Sequence, residues 1–506
     1  MTHLVILPIL LPLAAAVACT LMRSSIQAQR LVSLSAALAM IPVAWLLLER
    51  AAHNGIDVYA LGGWRAPFGI VLVLDRLAAL MAALCIVLAL PALFYAAGGI
   101  DAEGRHFHAL FQLQVAGLNG AFLTGDLFNL FVFFEVLLLA SYGLLSHGNG
   151  LSRARAGLTY VVLNLAGSAL FLIALGLLYG TLGTLNMADM AEALTRLPAA
   201  DQALVRTAAA LLVAVFALKA ALLPLSFWLP HVYGAAAAPV AALFAIMTKV
   251  GIYAVLRVSV VTFSAAPFTA DLLQPWLMPF AIATIAVGTL GALAARRLGV
   301  VVANFIVVST GTLLAAIAVS STDAVAAALY YLVHSTLVSA GFFLLADRIA
   351  AARGASSDDF ASGPPLTNAM ALGAGYLTLA IAICGAPPLS GFIGKAMILQ
   401  SVQGAALAPA AWGAILLSSL LPALVLARTA SVFFWEPRPP RAGMVLRLGW
   451  PTAAIVLLVA ASPLLSAFAA PVAAYARAAA EQLHSPRSYY GAVLGSDAEI
   501  QRERRP

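Results

Sequence analysis

Five ionisable side chains stand where hydrocarbon would make charge expensive: Glu135, Lys219, Lys249, His334 and Lys395. The chain has only three lysines, and each lies inside a long apolar run, whereas the other basic residues are arginines placed mainly between such runs. Taking a charged side chain into hydrocarbon costs at least about 2.5 to 3.5 kcal/mol, so an ionisable group kept there is read first as functional. One carboxylate, three amines and one imidazole are the groups a proton path through a membrane needs.

Glu135 sits among Phe131, Phe133, Phe134 and Leu137 to Leu139, a little over two turns below the start of its helix. Desolvation favours the neutral acid unless a cation lies close, and Lys219 is the natural partner. Movement of Glu135 toward or away from Lys219 would then load and unload a proton. The plainer alternatives are a structural ion pair for Glu135 and a lysine near Pro224 that snorkels to the interface. Lys249 lies two turns before Arg257, which is expected to serve as the end anchor, so Lys249 reads as internal and as a relay group. His334 is read as the single histidine deep in an apolar block, with an ordinary pKa near 6.5 suited to proton exchange, against the rival of a hydrogen-bonded packing residue. Lys395 has no acid in its own helix and could end a lateral chain of protonatable groups, or be solvated by a bundle cavity. Asp75 and Asp126 stand at helix starts and read as caps. His231 reads as an access group or a loop residue.

The elements that must hold these groups follow from composition. Of 506 residues, 63% are hydrophobic and 9% charged, where soluble domains carry about 25% charged residues. Apolar blocks of about 20 residues number about 14, which makes this an all-α polytopic membrane protein with no sizeable soluble domain. The segment from Leu4 to Leu21 lacks a basic leader and is expected to be a retained helix. Leu182 to Ala203 is more mixed and predicts a short amphipathic helix at the interface. Residues 471–506 form a polar C-terminal tail.

Two blocks are interrupted. Leu223-Pro224-Leu225-Ser226-Phe227-Trp228-Leu229-Pro230-His231, followed by Gly234 and Pro239, separates Lys219 from Lys249, and Gly385-Ala386-Pro387-Pro388-Leu389-Ser390-Gly391 precedes Lys395. Proline removes a helix donor, and broken backbone at membrane depth survives only inside protein or beside a wet cavity. Breaks in corresponding parts of a chain point to internal repeats, here about five helices each over 107–257 and 274–435.

The net charge of +7 sets orientation rather than nucleic-acid binding, because the arginines flank apolar segments. With the N-terminus outside, the inner loops hold Arg23, Arg30, Arg105, Arg153, Arg155, Arg296, Arg297, Arg348, Arg353, Arg438 and Arg441. The outer loops hold Arg50, Arg65, Arg196, Arg206 and Arg257 beside Asp57, Asp189, Glu192, Asp201 and Asp271, and the C-terminus also falls outside, where the basic stretch Gln501 to Pro506 fits poorly. Cys19, Cys85 and Cys384 are too scattered for an iron–sulfur or zinc site, and no P-loop, dinucleotide fingerprint or metal-ligand spacing appears, so neither cofactor nor metal is expected.

At Thr124 to Tyr142 around Glu135, at Lys219 to Pro230 with its Pro-Leu-x-x-Trp-Leu-Pro pattern, and at Thr248-Lys249-Val250-Gly251-Ile252-Tyr253, the chain resembles the antiporter-like membrane subunits of respiratory complex I, membrane-bound hydrogenases and Mrp-type cation/proton antiporters, most of all the Mrp D subunits. The resemblance implies fourteen helices in two inverted five-helix repeats, with the seventh and twelfth helices broken. It implies that a Glu135–Lys219 pair governs a polar axis through Lys249 and His334 to Lys395. It implies further a bacterial inner-membrane, non-enzymatic subunit that assembles with A, B, C, E, F and G type subunits and works on protons and Na+ or K+. Relatives often carry His or Gln in the tenth helix where this chain offers Ser309, and an acid where it has His231; a hydroxyl can join a water chain but holds no charge. The alternatives are a proton-pumping subunit of an NADH-quinone oxidoreductase or hydrogenase-type complex, and a scaffold whose charges only hold helices together.

Overall fold

The computed structural model describes residues 3–435 and 449–495 apart from 149, 271, 273 and 367. Arg438, Arg441, Asp271 and the stretch Gln501 to Pro506 therefore lie outside the described residues. Helices dominate because buried apolar backbone must satisfy its polar groups within each segment. The first half runs α1 (Leu7–Leu21), α2 (Ile26–His53), α3 (Arg76–Ala96), α4 (Phe107–Leu123), α5 (Leu127–Leu145), α6 (Leu151–Leu182), α7 (Met187–Thr195) and α8 (Ala199–Lys219). Then come α9 (Trp228–Ala235), α10 (Ala238–Phe244), α11 (Met247–Val261), the single turn α12 (Pro267–Ala270), α13 (Gln274–Ala294), α14 (Leu298–Val319) and α15 (Thr322–Arg353). The chain continues as α16 (Ala369–Cys384), α17 (Ser390–Ser401), α18 (Ala408–Ala430), α19 (Trp450–Ala467), α20 (Ala469–Leu483) and α21 (Pro486–Leu494).

Among the described residues, twelve helical stretches are long and apolar enough to cross a membrane. The 17-residue α4 and the interrupted α16–α17 fall just short by length, and with them the chain accommodates the expected fourteen crossings. α14, α15 and the stretch Ala238–Ala265 are buried almost throughout, while α6, α18 and α19 expose most of their surface. α15 is the central post, packed on α10, α14, α16, α17, α19 and α20.

Both expected breaks are present. α8 ends at Lys219 and α9 begins only at Trp228; α16 ends at Cys384 and α17 begins at Ser390. The anticipated caps are also in place: Asp75 Oδ1 accepts from the Ala78 N–H at 2.8 Å and Asp126 Oδ1 from the Asn129 N–H at 2.9 Å.

Four expectations need correction. The apolar block that opens at residue 69 starts with a strand: β1 (Asp57–Ala60) pairs antiparallel with β2 (Val71–Leu74), Tyr59 opposite Leu72. Val-Leu-Val-Leu is apolar enough to resemble a helix start, but its branched residues pack well in a buried strand. The amphipathic helix between α6 and α8 exists as α7, yet Met187, Met190 and Leu194 bury its apolar face inside the protein rather than in the interface. The segment after 471 is helical through Leu494, with Tyr490 donating to the Val261 carbonyl at 2.5 Å, so this stretch is docked and not a free tail. Arg257, finally, is no loop anchor: it lies within α11, 2% exposed, bonded in bidentate fashion to Asp75 and through Nε to Tyr253 at 3.1 Å.

Candidate functional site

The five ionisable groups fall into four hydrogen-bonded units strung along the membrane interior. In the first, the acid and the amine each bond to α6. Glu135 on α5 accepts from Ser168 of α6, and Lys219, the last residue of α8, donates from Nζ to Asn164 Oδ1 of α6 at 3.1 Å. Glu135 and Lys219 make no ion pair with each other within 4.0 Å. Phe134 covers the amine, its ring centroid 6.0 Å from Nζ. The opposite face of α6 is open, with Val162, Leu170 and Ile173 exposed, and so is the flank that carries Leu158, Leu165, Leu172 and Tyr179.

Beyond the first break, α11 brings Lys249 into the centre. Its Nζ donates to Ser309 Oγ on α14 at 2.7 Å, and the side chain is fully buried. Gly251 makes this possible: a Cβ there would stand 2.5 Å from the backbone nitrogen of Ala220, so the end of α8 and the start of α11 touch directly. Lys219 and Lys249 are thereby carried on two helix ends in contact.

The third unit is His334 on α15. Its Nδ1 is 2.7 Å from Ser390 Oγ at the start of α17, and Ser390 is 2.7 Å from Ser462 on α19. The second break wraps this ring closely, since a Cβ on Gly391 would lie 2.8 Å from Nε2. Lys395 forms the fourth unit: Nζ donates to the Cys384 carbonyl at 3.1 Å and to Ser419 Oγ at 2.7 Å. Cys384 ends α16, and the carbonyl end of a helix favours a cation. The lysine thus folds back across the break onto the helix before it.

No direct hydrogen bond joins one unit to the next among the described residues, so any proton passing between them needs intervening water or side-chain motion. Tyr142 Oη, Trp228 Nε1 and Thr248 Oγ1 are buried beside these units without a protein partner and are free to hold water. Among the described residues no cluster could hold a metal ion.

Three features escape a sequence reading. Asn164 and Ser168 are ordinary polar residues in an apolar helix; their spacing of four, which puts both on one face, was the available signal. His334 is not the single buried histidine, because His108 is fully buried and lies 3.0 Å from Asp101, itself held by Arg30. Its place at the start of an apolar block made it look terminal. Asp347 on α15 accepts from Tyr95 at 2.5 Å, a carboxylate that the loop arginines nearby had masked.

The family described as NADH:quinone oxidoreductase/Mrp antiporter, transmembrane, matches residues 124–421, a stretch that holds all five ionisable groups, and the chain belongs to that family. Within it the likeness is to antiporter D subunits. The chain is 42% identical, over 98% of both sequences, to a protein of Rhizobium meliloti (strain 1021) named as the D subunit of a probable K(+)/H(+) antiporter. It is 36% identical to the Na(+)/H(+) antiporter D subunit of Bacillus subtilis (strain 168), covering 98% of this chain and all of that one. A chain in the structure of the Mrp complex from Dietzia sp. DQ12-45-1b superposes with a TM-score of 0.85 at 25% identity, over 98% of this chain and 99% of the other.

Proposed function

We propose that this chain is an ion-translocating subunit of a multisubunit Na+(K+)/H+ antiporter, and that it passes protons through Glu135, Lys219, Lys249, His334 and Lys395. One observation carries the reading: each of the three buried lysines is held by neutral oxygen acceptors, Asn164, Ser309, and Ser419 with the Cys384 carbonyl, and none is in an ion pair among the described residues. A lysine whose only task was to pin helices would need a carboxylate to offset its burial. A lysine held by neutral acceptors can keep an N–H bond to the same oxygen as ammonium or as amine, which is what a group that repeatedly gains and loses a proton requires.

Protons enter near Glu135 and Lys219, pass to Lys249 beside Ser309, and reach Lys395 by way of His334. Moving one charge across the membrane is worth about 2.3 kcal/mol per 100 mV, enough to couple proton entry to cation export. The chain works beside other membrane subunits of the antiporter, two repeats over 107–257 and 274–435 frame the two breaks, and both termini face the outside. The sidedness is supported by Arg30 meeting Asp101, Arg153 meeting Glu103 and Tyr95 meeting Asp347 next to Arg348, which gathers arginines from distant loops at one end of the bundle. The test is cation/proton exchange in membrane vesicles carrying the whole complex: Glu135→Gln or Lys219→Ala abolishes exchange while the complex still assembles. Normal exchange in either variant refutes the relay.

A further inference from the structure

The relay reading leaves open what keeps an acid and an amine apart in a medium where they should attract. Lys219 and Asn164 are 6% and 3% exposed, and Ser168 is 7% exposed, so little water screens them. The Asn164 amide is fixed in one orientation: its Nδ2 donates to the Tyr160 carbonyl at 2.9 Å while its Oδ1 accepts from Lys219. A flip would set an NH2 against the ammonium and a carbonyl against a carbonyl. Ser168, one turn further along α6, gives its single hydroxyl proton to Glu135. Between them Gly167 lets the end of α8 come close, since a Cβ there would stand 2.7 Å from Leu218 Cδ2 and 3.8 Å from Lys219 Nζ. We propose that Asn164 and Ser168 are positioning residues that hold Lys219 and Glu135 on separate partners one helical turn apart, so that the acid and the amine close on each other only when both bonds to α6 break.

The proposal rests on the relay reading and adds its spacer. Hydrogen bonds to charged groups are the strong kind, and two of them are of the same order as the attraction of a close pair at the effective dielectric of a protein. The open and closed arrangements are then nearly balanced, which is the condition for a switch. Neutral side chains suit this task because a carboxylate or an amine on α6 would capture one partner permanently.

The experiment uses the whole complex with Ser168→Ala, Ser168→Thr and the double variant Asn164→Ala/Ser168→Ala, beside Glu135→Gln. In a cryo-electron microscopy structure of the double variant, the Glu135 carboxylate and the Lys219 ammonium approach to about 4 Å, and exchange falls about tenfold. Ser168→Thr keeps the hydroxyl and stays within about twofold of the parent, while Ser168→Ala does not. A pair that stays apart in the double variant, or equal activity of Ser168→Ala and Ser168→Thr, overturns the spacer. If the double variant does not assemble, the Ala/Thr comparison alone decides. Glu135→Gln separates the two levels: inactive Glu135→Gln beside fully active Ser168→Ala removes only the spacer, whereas active Glu135→Gln removes the relay beneath it.

Discussion

Lys249 reaches across from α11 to place its ammonium 2.7 Å from the hydroxyl of Ser309 on α14, and no carboxylate shares the contact. Ser309 also donates to the Ile306 carbonyl at 2.8 Å, so its oxygen faces the lysine with a lone pair. Ser309→Ala removes that acceptor and is expected to lower exchange about tenfold, with the complex still assembled. Ser309→Gln restores an acceptor carbonyl and should recover most of the rate, as measured by exchange in vesicles at equal complex content.

The second break has no room beside its histidine. A Cβ on Gly391 would fall 2.0 Å from the Ala382 carbonyl oxygen as well as against His334. Gly391→Ala therefore forces backbone to move and should destabilise the protein by about 1 to 3 kcal/mol, seen as a lower melting temperature in detergent. Gly404→Ala, where no atom lies within 4 Å of the new methyl, is the control and should leave the melt unchanged.

Arg257 and Asp75 form a buried pair linking α11 to the start of α3, with the Tyr489 ring of α21 5.7 Å from the guanidinium. Removing one partner strands the other charge, so Arg257→Met or Asp75→Leu alone is expected to cost about 3 to 5 kcal/mol. The double replacement should cost clearly less than the sum. A thermal-melt double-mutant cycle giving simple additivity would show that the pair carries no coupling.

Asp101 lies outside the spans, in the turn between α3 and α4. Burial pushes its carboxyl up, but hydrogen bonds and charge from Arg30, with His108, more than offset this and hold it below the ordinary value of 3.8. A lowered folded value means the contribution is complete above the unfolded value and is lost as pH falls through the folded one. Asp101→Asn should thus melt several degrees below the parent at pH 7, and the gap should narrow once the pH drops beneath the ordinary carboxylate range.

The sequence carried the fold at the level of spans, because each crossing needs a run of apolar residues and breaks need proline and glycine. Both interruptions could be read directly, as could the half-buried Glu135 and the four buried groups Lys219, Lys249, His334 and Lys395. What could not be read were partners. Asn164 and Ser168 look like many polar residues in membrane helices until α5 and α8 are packed against them. Arg257 appeared terminal because only the fold brings Asp75, 182 positions away, against it. β2 passed for a helix start because a buried strand and a buried helix share one composition over four residues.

α6 presents leucines and a tyrosine outward and holds Asn164 and Ser168 inward. The insulation around the acid and the amine is therefore one helix thick on that side. A rotation of this single rod by a fraction of a turn would loosen both bonds at once, so mechanical force applied to its outer surface would act on the acid and the amine together.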